Sequence, residues 1–595
     1  MQFAEFSKHL LELEKTASRL EMTRILAELF KKLKGEEIEE VSYLLEGQLV
    51  PQYLSLEFQL SIKMVLRALV RIEGSASGKG EATNLFGEAD SSELEGALQK
   101  RYKKLGDVGL LAAEVLDDST AERLTISQVY KELVAIAQEN GEGSQERKLA
   151  SLVELFQKLD AASAKFVSRI IVGRLRLGFS TMTMLDALSW AQTGSKEETA
   201  LLEEAFQRKA DLGKLARTYL ETSSTEQRAK VLESYQTEEG VPIVPQLCQR
   251  LNSPQEVIEK MGEVIVEPKY DGLRVQIHID ASTKSGDPEI RAFTRNLENV
   301  SQMFPELQHL PKLLTKAKSV ILDAEAIGYD PATGKLALFQ TTMTRKRKHE
   351  IEATATSIPL KFFVFDVIAI DGQSLIDKTL RERKDLLSKL FKQNETFLPT
   401  EFIVTKDPNE LQTYHEEQLA EGLEGVVIKQ VIAPYQSGRK NWYWVKMKEK
   451  AGTQGKLTDT LDTVVMGYYF GRGKRTAFGI GAFLVGVLDA QNTLKTIAKI
   501  GTGLSDEQFK ELKERADKLV IQEKPAEYEV AKALIPDVWI TPNIVTEVAA
   551  DELTISPNHS AGYALRFPRL IRFRTDKSWE NATTMTEVEQ MLAAS

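Results

Sequence analysis

Cysteine is almost absent from this chain: Cys248 is the one cysteine in 595 residues. An internal disulfide is therefore impossible, and so is a zinc site built from several thiolates. The scarcity suits a reducing compartment such as cytoplasm or nucleus. Histidine is sparse too, with six in all, and they offer no metal constellation; His278 and Cys248 read as structural. No apolar run approaches the roughly 18 residues that a membrane-spanning helix needs, so no membrane is expected as a partner. Met1-Gln2-Phe3-Ala4-Glu5-Phe6 lacks the basic stretch followed by an apolar one that marks a secretory signal. A phosphate-binding P-loop is missing as well. Gly78-Lys79-Gly80 has no Ser or Thr after its lysine and follows a helical pattern rather than a strand.

What is present fits a globular protein with several cores. Hydrophobic residues make up 42% and charged residues 28%, and the length predicts three or four domains. The net charge of -10 does not advertise a nucleic-acid partner. Binding to phosphates depends on local basic surface, however, and not on the chain total. Basic clusters stand at Arg169/Arg174/Arg176, Arg345-Lys346-Arg347-Lys348, Arg439-Lys440, Lys446/Lys448 and Arg566/Arg569/Arg572/Arg574.

Residues 1–235 read as helical. Phe3, Phe6, Leu10 and Leu13 recur at helical spacing, and similar patterns cover 57–72, 107–116, 127–138, 147–158, 162–176 and 183–192. The Gly-, Ser- and Glu-rich stretch from 74 to about 95 reads as a mobile loop. Breakers at Gly240-Val241-Pro242 open a second region, 236–450. There, short β-branched strands near 263–268, 273–280, 290–294, 319–327, 361–368, 402–405 and 424–430 alternate with a few helices, as in an α+β domain. The last region, 451–595, shows strands near 462–470, 479–489, 493–500, 538–549 and 564–574. Its helix at 506–520 starts at Ser505, with Asp506 and Glu507 in the first turn. About five strands and one helix is the oligonucleotide-binding (OB) barrel pattern.

The chemistry concentrates at Glu267-Pro268-Lys269-Tyr270-Asp271-Gly272-Leu273-Arg274, between two strand-like runs. A lysine sits at a strand end, beside a tight turn for which Gly272 supplies freedom, with an arginine five residues on. Residues two apart in a strand share a face, so Glu267 and Lys269 point into one pocket. By the same rule Trp444, Lys446 and Lys448 share a face.

The pattern K-x-D-G-x-R resembles the first motif of the covalent nucleotidyltransferases, which include DNA ligases, RNA ligases and capping enzymes. Further segments resemble the ATP-dependent DNA ligase motif series in order: Phe293-Thr294-Arg295-Asn296, Leu322-Asp323-Ala324-Glu325, Phe363-Val364-Phe365-Asp366, Glu421-Gly422-Leu423-Glu424-Gly425-Val426-Val427-Ile428-Lys429, Trp444-Val445-Lys446-Met447-Lys448, and Arg566-Phe567-Pro568-Arg569 through Arg574-Thr575-Asp576-Lys577. Residues 169–178 look like part of the helical DNA-binding domain of archaeal and eukaryotic replicative-type ligases. The basic run 345–348 matches a stretch that follows the acidic motif in ligases.

The resemblance implies an all-α N-terminal DNA-binding domain (1–235), an α+β nucleotidyltransferase or adenylation domain (236–450) and a C-terminal OB-fold β-barrel (451–595). It implies ATP and Mg²⁺ as cofactors and nicked double-stranded DNA as substrate, in replication, repair or recombination. It implies a monomer, with a sliding clamp as an open partner, in the cytoplasm of a prokaryote or the nucleus of a eukaryote. Lys269 would be the nucleophile on ATP. A free lysine is mostly protonated at neutral pH and needs cationic, partly desolvated surroundings. Arg274, Arg295 and Lys446 would supply positive charge at the phosphates. Glu267 would accept from the adenine amino group and Phe365 would stack on the ring. Glu325 would touch both nucleotide and metal, and Glu424 the metal, since carboxylates suit Mg²⁺. Relatives carry an arginine six residues before the first lysine of the Trp444 motif; that place holds Lys440 here, beside Arg439. Either could reach the nucleotide, and lysine lacks the bidentate geometry of arginine. Arg169, Arg174, Arg176, Lys448, Arg566 and Arg569 would contact DNA, and the Arg572, Arg574 and Lys577 region would assist attack on ATP. An RNA ligase or capping enzyme is the rival within the superfamily, and the long helical region speaks against it. An NAD-dependent ligase would carry zinc-binding cysteines. A silent DNA clamp is the rival without catalysis.

Overall fold

A computed structural model describes residues 1–76, 89–116, 121–173, 175–281, 287–337, 342, 358–438, 441–448, 460–471, 475, 478–550 and 552–594. Arg174, the basic run 345–348, Arg439, Lys440 and Gly78-Lys79-Gly80 lie outside the described residues.

Helices fill the N-terminal region from Phe3–Lys15 to Thr225–Glu233. The apolar spacing explains their packing: Phe3, Phe6, Leu10 and Leu13 all sit buried in one continuous cluster that extends to Leu232. Each such side chain contributes roughly 1.5–3 kcal/mol. Helix starts follow local chemistry, as at Thr125, whose hydroxyl accepts from the Gln128 N–H while Gln128 returns the bond. Two sequence expectations shift. The loop expected to reach about 95 already gives way to helix Ala89–Leu105, because that segment is rich in helix formers and packs Leu98 into the core. The helix expected over 162–176 ends at Ile171, where Gly173 and then Arg176 adopt positive φ, each 62°. Arg169 and Arg176 therefore do not share a helical face.

Two sheets build the central region. One runs in the order Gln249–Arg250, Trp444–Lys448, Gly425–Gln430, Val264–Pro268, Ile403–Thr405. The other runs Glu289–Thr294, Leu273–Asp280, Ser319–Gly328, Leu360–Ile370, Gln373–Ser374. Each has its own apolar cluster, around Val264, Val266 and Ile428 in the first and Val275, Leu322 and Phe362 in the second. The chain passes between the sheets at Lys269–Gly272, so the lysine motif lies at their junction.

The C-terminal region is strand-rich, with the long strand Leu461–Tyr469 at its centre. Its first half pairs with Val545–Ala549 and its second half with Val538–Ile540, while its other edge pairs with Ala482–Leu488. That bend, with helix Asp506–Asp517 burying Phe509 and Leu512 against the strands, fits the OB type. The helix starts as its sequence indicates: the Gln508 N–H donates to Ser505 Oγ at 3.2 Å. More strands occur than the five expected, because two-residue edge pieces such as Val520–Ile521 are too short to show a pattern.

Each region touches the other two. Tyr53 packs edge-on against Phe293 at 6.3 Å. Arg176 donates to the Gly106 carbonyl at 2.8 Å and lies over the Phe470 ring. Arg566 reaches from the hairpin Glu552–Ile555/Tyr563–Arg566 into the lysine motif.

Candidate active site

Backbone register assembles the site. Glu267 lies opposite Val427, which lies opposite Lys446 on the next strand. Lys269 N–H donates to the Gly425 carbonyl at 2.9 Å and the Glu424 N–H to the Lys269 carbonyl at 3.2 Å. This pairing brings Lys269 Nζ within 2.5 Å of Glu424 Oε2. Gly425 is required here: its φ is 121°, and a Cβ would lie 2.3 Å from the Met447 carbonyl oxygen. On the second sheet Arg274 lies opposite Glu325.

Gly272 plays a different part from the one its turn position indicates. It is not in the left-handed region; a Cβ would meet the Ala326 carbonyl oxygen and Ile327 Cγ1, both at 2.5 Å. Close approach to strand Ser319–Gly328 demands glycine, and lets its N–H donate to Glu325 Oε1 at 3.1 Å.

Between the sheets lies a cavity of about 600 Å³. Glu267, Lys269, Arg274, Arg295, Glu325, Phe365 and Lys446, all named from sequence for nucleotide contact, line it together. Cys248, Thr400, Lys429 and Trp444 line it too. Cys248, read as merely structural, thus belongs to the cavity wall. His278 is structural: it is buried, its Nδ1 accepts the Gly240 N–H at 3.1 Å, and burial pushes its pKa down to about 3.

The two candidate metal carboxylates are held in opposite ways. Burial pushes Glu325 up to about 7 against the pull of Lys269 and Arg274. Burial acts on Glu424 in the same direction, but Lys269 and Lys448 outweigh it and hold that carboxyl well below its ordinary range. Glu424 is a hub, with Lys448 at 2.7 Å and Arg566 Nη2 at 3.1 Å; Arg566 Nη2 also donates to Asp271 Oδ1 at 2.8 Å. Among the described residues no cluster of three or more His, Cys, Asp or Glu could hold a metal by itself. One or two carboxylates beside a phosphate pocket suit Mg²⁺, which keeps waters and shares phosphate oxygens. Glu325 and Glu424 would hold it.

Several of the residues named from sequence are engaged by partners within the protein. Arg274 lines the cavity, but its guanidinium donates to Asp323 at 3.0 and 2.6 Å and to the Gln246 carbonyl at 2.6 Å. Its first role is to fix the cavity wall. Arg169 presents nothing to DNA. It is 2% exposed and bound to Asp107 at 2.7 Å and Glu14 at 2.8 Å, because it lies on the inward face of its helix. Arg574 and Lys577 bind Asp462, and Arg572 binds Glu547, all within the C-terminal region and away from the cavity. Arg566 sits at the lysine motif, while Arg569 is exposed on strand Arg569–Phe573.

Sequence reasoning missed Asp323 and Tyr435, which fix Arg274, and Thr400 and Lys384, which bind Glu267. Lys429 was findable, two residues along its strand from Val427. Lys384 was not, since helix Leu380–Leu387 carries no motif.

A cavity between two sheets with a lysine in its wall, flanked by a helical region and an OB-type barrel, fits a nucleotidyltransferase architecture. Three family models match the chain: DNA ligase N terminus over 2–189, ATP dependent DNA ligase domain over 245–448, and ATP dependent DNA ligase C terminal region over 476–577. A probable DNA ligase of Dictyoglomus turgidum is 38% identical over 99% of this chain and 97% of its own length. DNA ligase 2 of Thermofilum pendens is 38% identical over 97% of this chain and 95% of its own. The solved structure "Pmar-Lig_PreS3" shares the fold, with a TM-score of 0.53 at 16% identity, covering 96% of this chain and 99% of that one. The chain belongs to the ATP-dependent DNA ligase family. It is an enzyme that joins DNA using ATP, with Mg²⁺ as the family's usual metal. Among the described residues no helix is long and apolar enough to cross a membrane.

Proposed function

We propose that the chain seals nicks in duplex DNA through a covalent lysine–AMP intermediate on Lys269. The observation that carries this reading is Lys269 Nζ, 2.5 Å from Glu424 and at the wall of a 600 Å³ cavity with Glu267, Arg295, Glu325, Phe365 and Lys446. The cavity has room for a nucleotide and cations for its phosphates. Lys269 Nζ, once deprotonated, attacks the α-phosphorus of ATP. The N–P bond forms, the bond to the β-phosphate oxygen breaks, and pyrophosphate leaves. AMP then passes to the 5′-phosphate at a nick, and the 3′-hydroxyl displaces it.

Phe365 and Trp444 supply apolar faces for the base, Glu267 an acceptor, and Arg295 and Lys446 charge opposite the phosphates. Bound Mg²⁺ at Glu325 and Glu424 would neutralise charge on the transferring group. Glu424, as the nearest anion, holds Lys269 in place beforehand. Lys440 or the adjacent Arg439, both outside the described residues, would make a further contact to the nucleotide. Arg176, Lys448, Arg566 and Arg569 would grip the sugar–phosphate backbone, giving strong salt dependence and little sequence preference. The family resemblance supports a role in DNA replication, repair or recombination, each of which needs nicks sealed.

The test uses α-labelled ATP and Mg²⁺, followed by nicked DNA. The protein should take up label, pass it to the 5′-phosphate and seal the nick. Label without transfer to DNA, but with transfer to nicked RNA, would favour the RNA ligase reading. Absence of label would reject covalent nucleotidyl transfer.

A further inference from the structure

Glu267 lines the cavity and is 2% exposed, yet it does not stand alone. Lys384 bridges to its Oε1 and Lys429 to its Oε2, the latter at 2.5 Å. Thr400 Oγ1 donates to the same Oε1 at 3.3 Å, and Lys384 Nζ donates to Thr400 Oγ1 at 2.9 Å. Lys384 lies on helix Leu380–Leu387, outside every motif that marks the site. Its neighbour Arg383 pins that helix to the strand carrying Phe365, through Asp366 at 2.8 and 3.0 Å.

This arrangement has a chemical consequence. A carboxylate offers about four acceptor positions. Lys384 and Thr400 occupy those of Oε1, and Lys429 takes one on Oε2. One acceptor position is left, on Oε2. Bridged by two ammonium groups, the Glu267 carboxylate presents only acceptor oxygens to the cavity. It therefore matches a ligand group that donates one N–H, and opposes a carbonyl oxygen.

We infer that Lys384, through Thr400, is a positioning residue that sets base selectivity: it fixes Glu267 as an acceptor for the 6-amino group of adenine and against 6-oxo purines. The inference rests on the nucleotide reading of the cavity. Lys384 itself touches no substrate. Without it, Oε1 keeps only the 3.3 Å bond from Thr400, the carboxylate can rotate, and its acceptor no longer has a fixed direction.

The experiment measures single-turnover labelling of Lys269 by ATP, by purine riboside 5′-triphosphate, which lacks only the 6-amino group, and by inosine 5′-triphosphate. Wild type should prefer ATP to purine riboside triphosphate by about tenfold or more in kcat/KM, as sites built to bond a polar group do. Lys384→Met should cut that preference to within about threefold, by slowing ATP and not the analogue, and should narrow the gap to inosine triphosphate. Thr400→Val, which removes a hydroxyl at nearly constant shape, should move the ratio in the same direction and carries the test if Lys384→Met does not fold. If both variants slow the nucleotides equally, leaving the wild-type ratio, Lys384 has a purely structural role and the inference is overturned. If wild type takes label from none of the nucleotides, it is the covalent-transfer reading itself that fails.

Discussion

Arg566 is the C-terminal region's hand in the active site, and its removal has a calculable effect. Its Nη2 donates to Asp271 at 2.8 Å and to Glu424 at 3.1 Å, with side chains 24%, 31% and 16% exposed. Fully exposed ion pairs contribute about 0–1 kcal/mol, and charge-assisted bonds in half-buried places more. The cross-domain link should therefore contribute about 1–2 kcal/mol, or about five- to thirtyfold in an equilibrium. A double-mutant cycle isolates it: Arg566→Ala, Asp271→Asn and the pair, each assayed for nick sealing at saturating ATP. Each single change should lower kcat/KM for nicked DNA by about five- to thirtyfold. The double change should fall well short of the product of the two, because both remove the Arg566–Asp271 contact. Multiplicative losses would mean that the two residues act separately, and the link would have no energetic role.

Other outcomes follow from buried pairs and from charge. Asp366→Asn strands the fully buried Arg383 and should destabilise the central region by about 3–5 kcal/mol in urea unfolding. Burial alone would raise the Asp366 carboxyl, but Arg383 outweighs it and holds it below its ordinary value. Its stabilisation is thus complete above about pH 4 and is lost as pH falls through the lower folded value, so Asp366→Asn should flatten that part of the acid-unfolding curve. Arg169→Met should lower the thermal midpoint of the helical region while leaving the salt slope of DNA binding unchanged, because Arg169 is bound to Asp107 and Glu14. Arg569→Ala should reduce that slope by about 1. Gly272→Ala should sharply reduce labelling, since its Cβ would lie 2.5 Å from the Ala326 carbonyl.

Local patterns and adjacency were legible in the sequence; long-range partners were not. Alternation placed Glu267 with Lys269 and Trp444 with Lys446, and all four line the cavity: Trp444 and Lys446 ride on one strand, and Lys269 directly follows the strand of Glu267. Ser505 marked a helix start because capping depends on residues three apart. The inward face of Arg169 was not legible, since an arginine in an amphipathic stretch looks the same whether it meets Asp107 or water. Arg274 shows the same limit: its partner Asp323 lies across a sheet and 49 positions away. Gly272 looked like a turn glycine because the approaching strand is more than fifty residues distant. Lys384 had no signal at all, for its importance comes only from the helix that carries it to Glu267.

In the proposed reaction Lys269 carries the nucleotide. The most direct measurement is peptide mapping by mass spectrometry after incubation with ATP and Mg²⁺ and no DNA. One AMP should be added to the intact chain, on the peptide that holds Lys269, and pyrophosphate should reverse it. Lys269→Ala should show none while keeping the wild-type thermal midpoint. AMP on any other residue, or nick sealing by Lys269→Ala, would contradict the account.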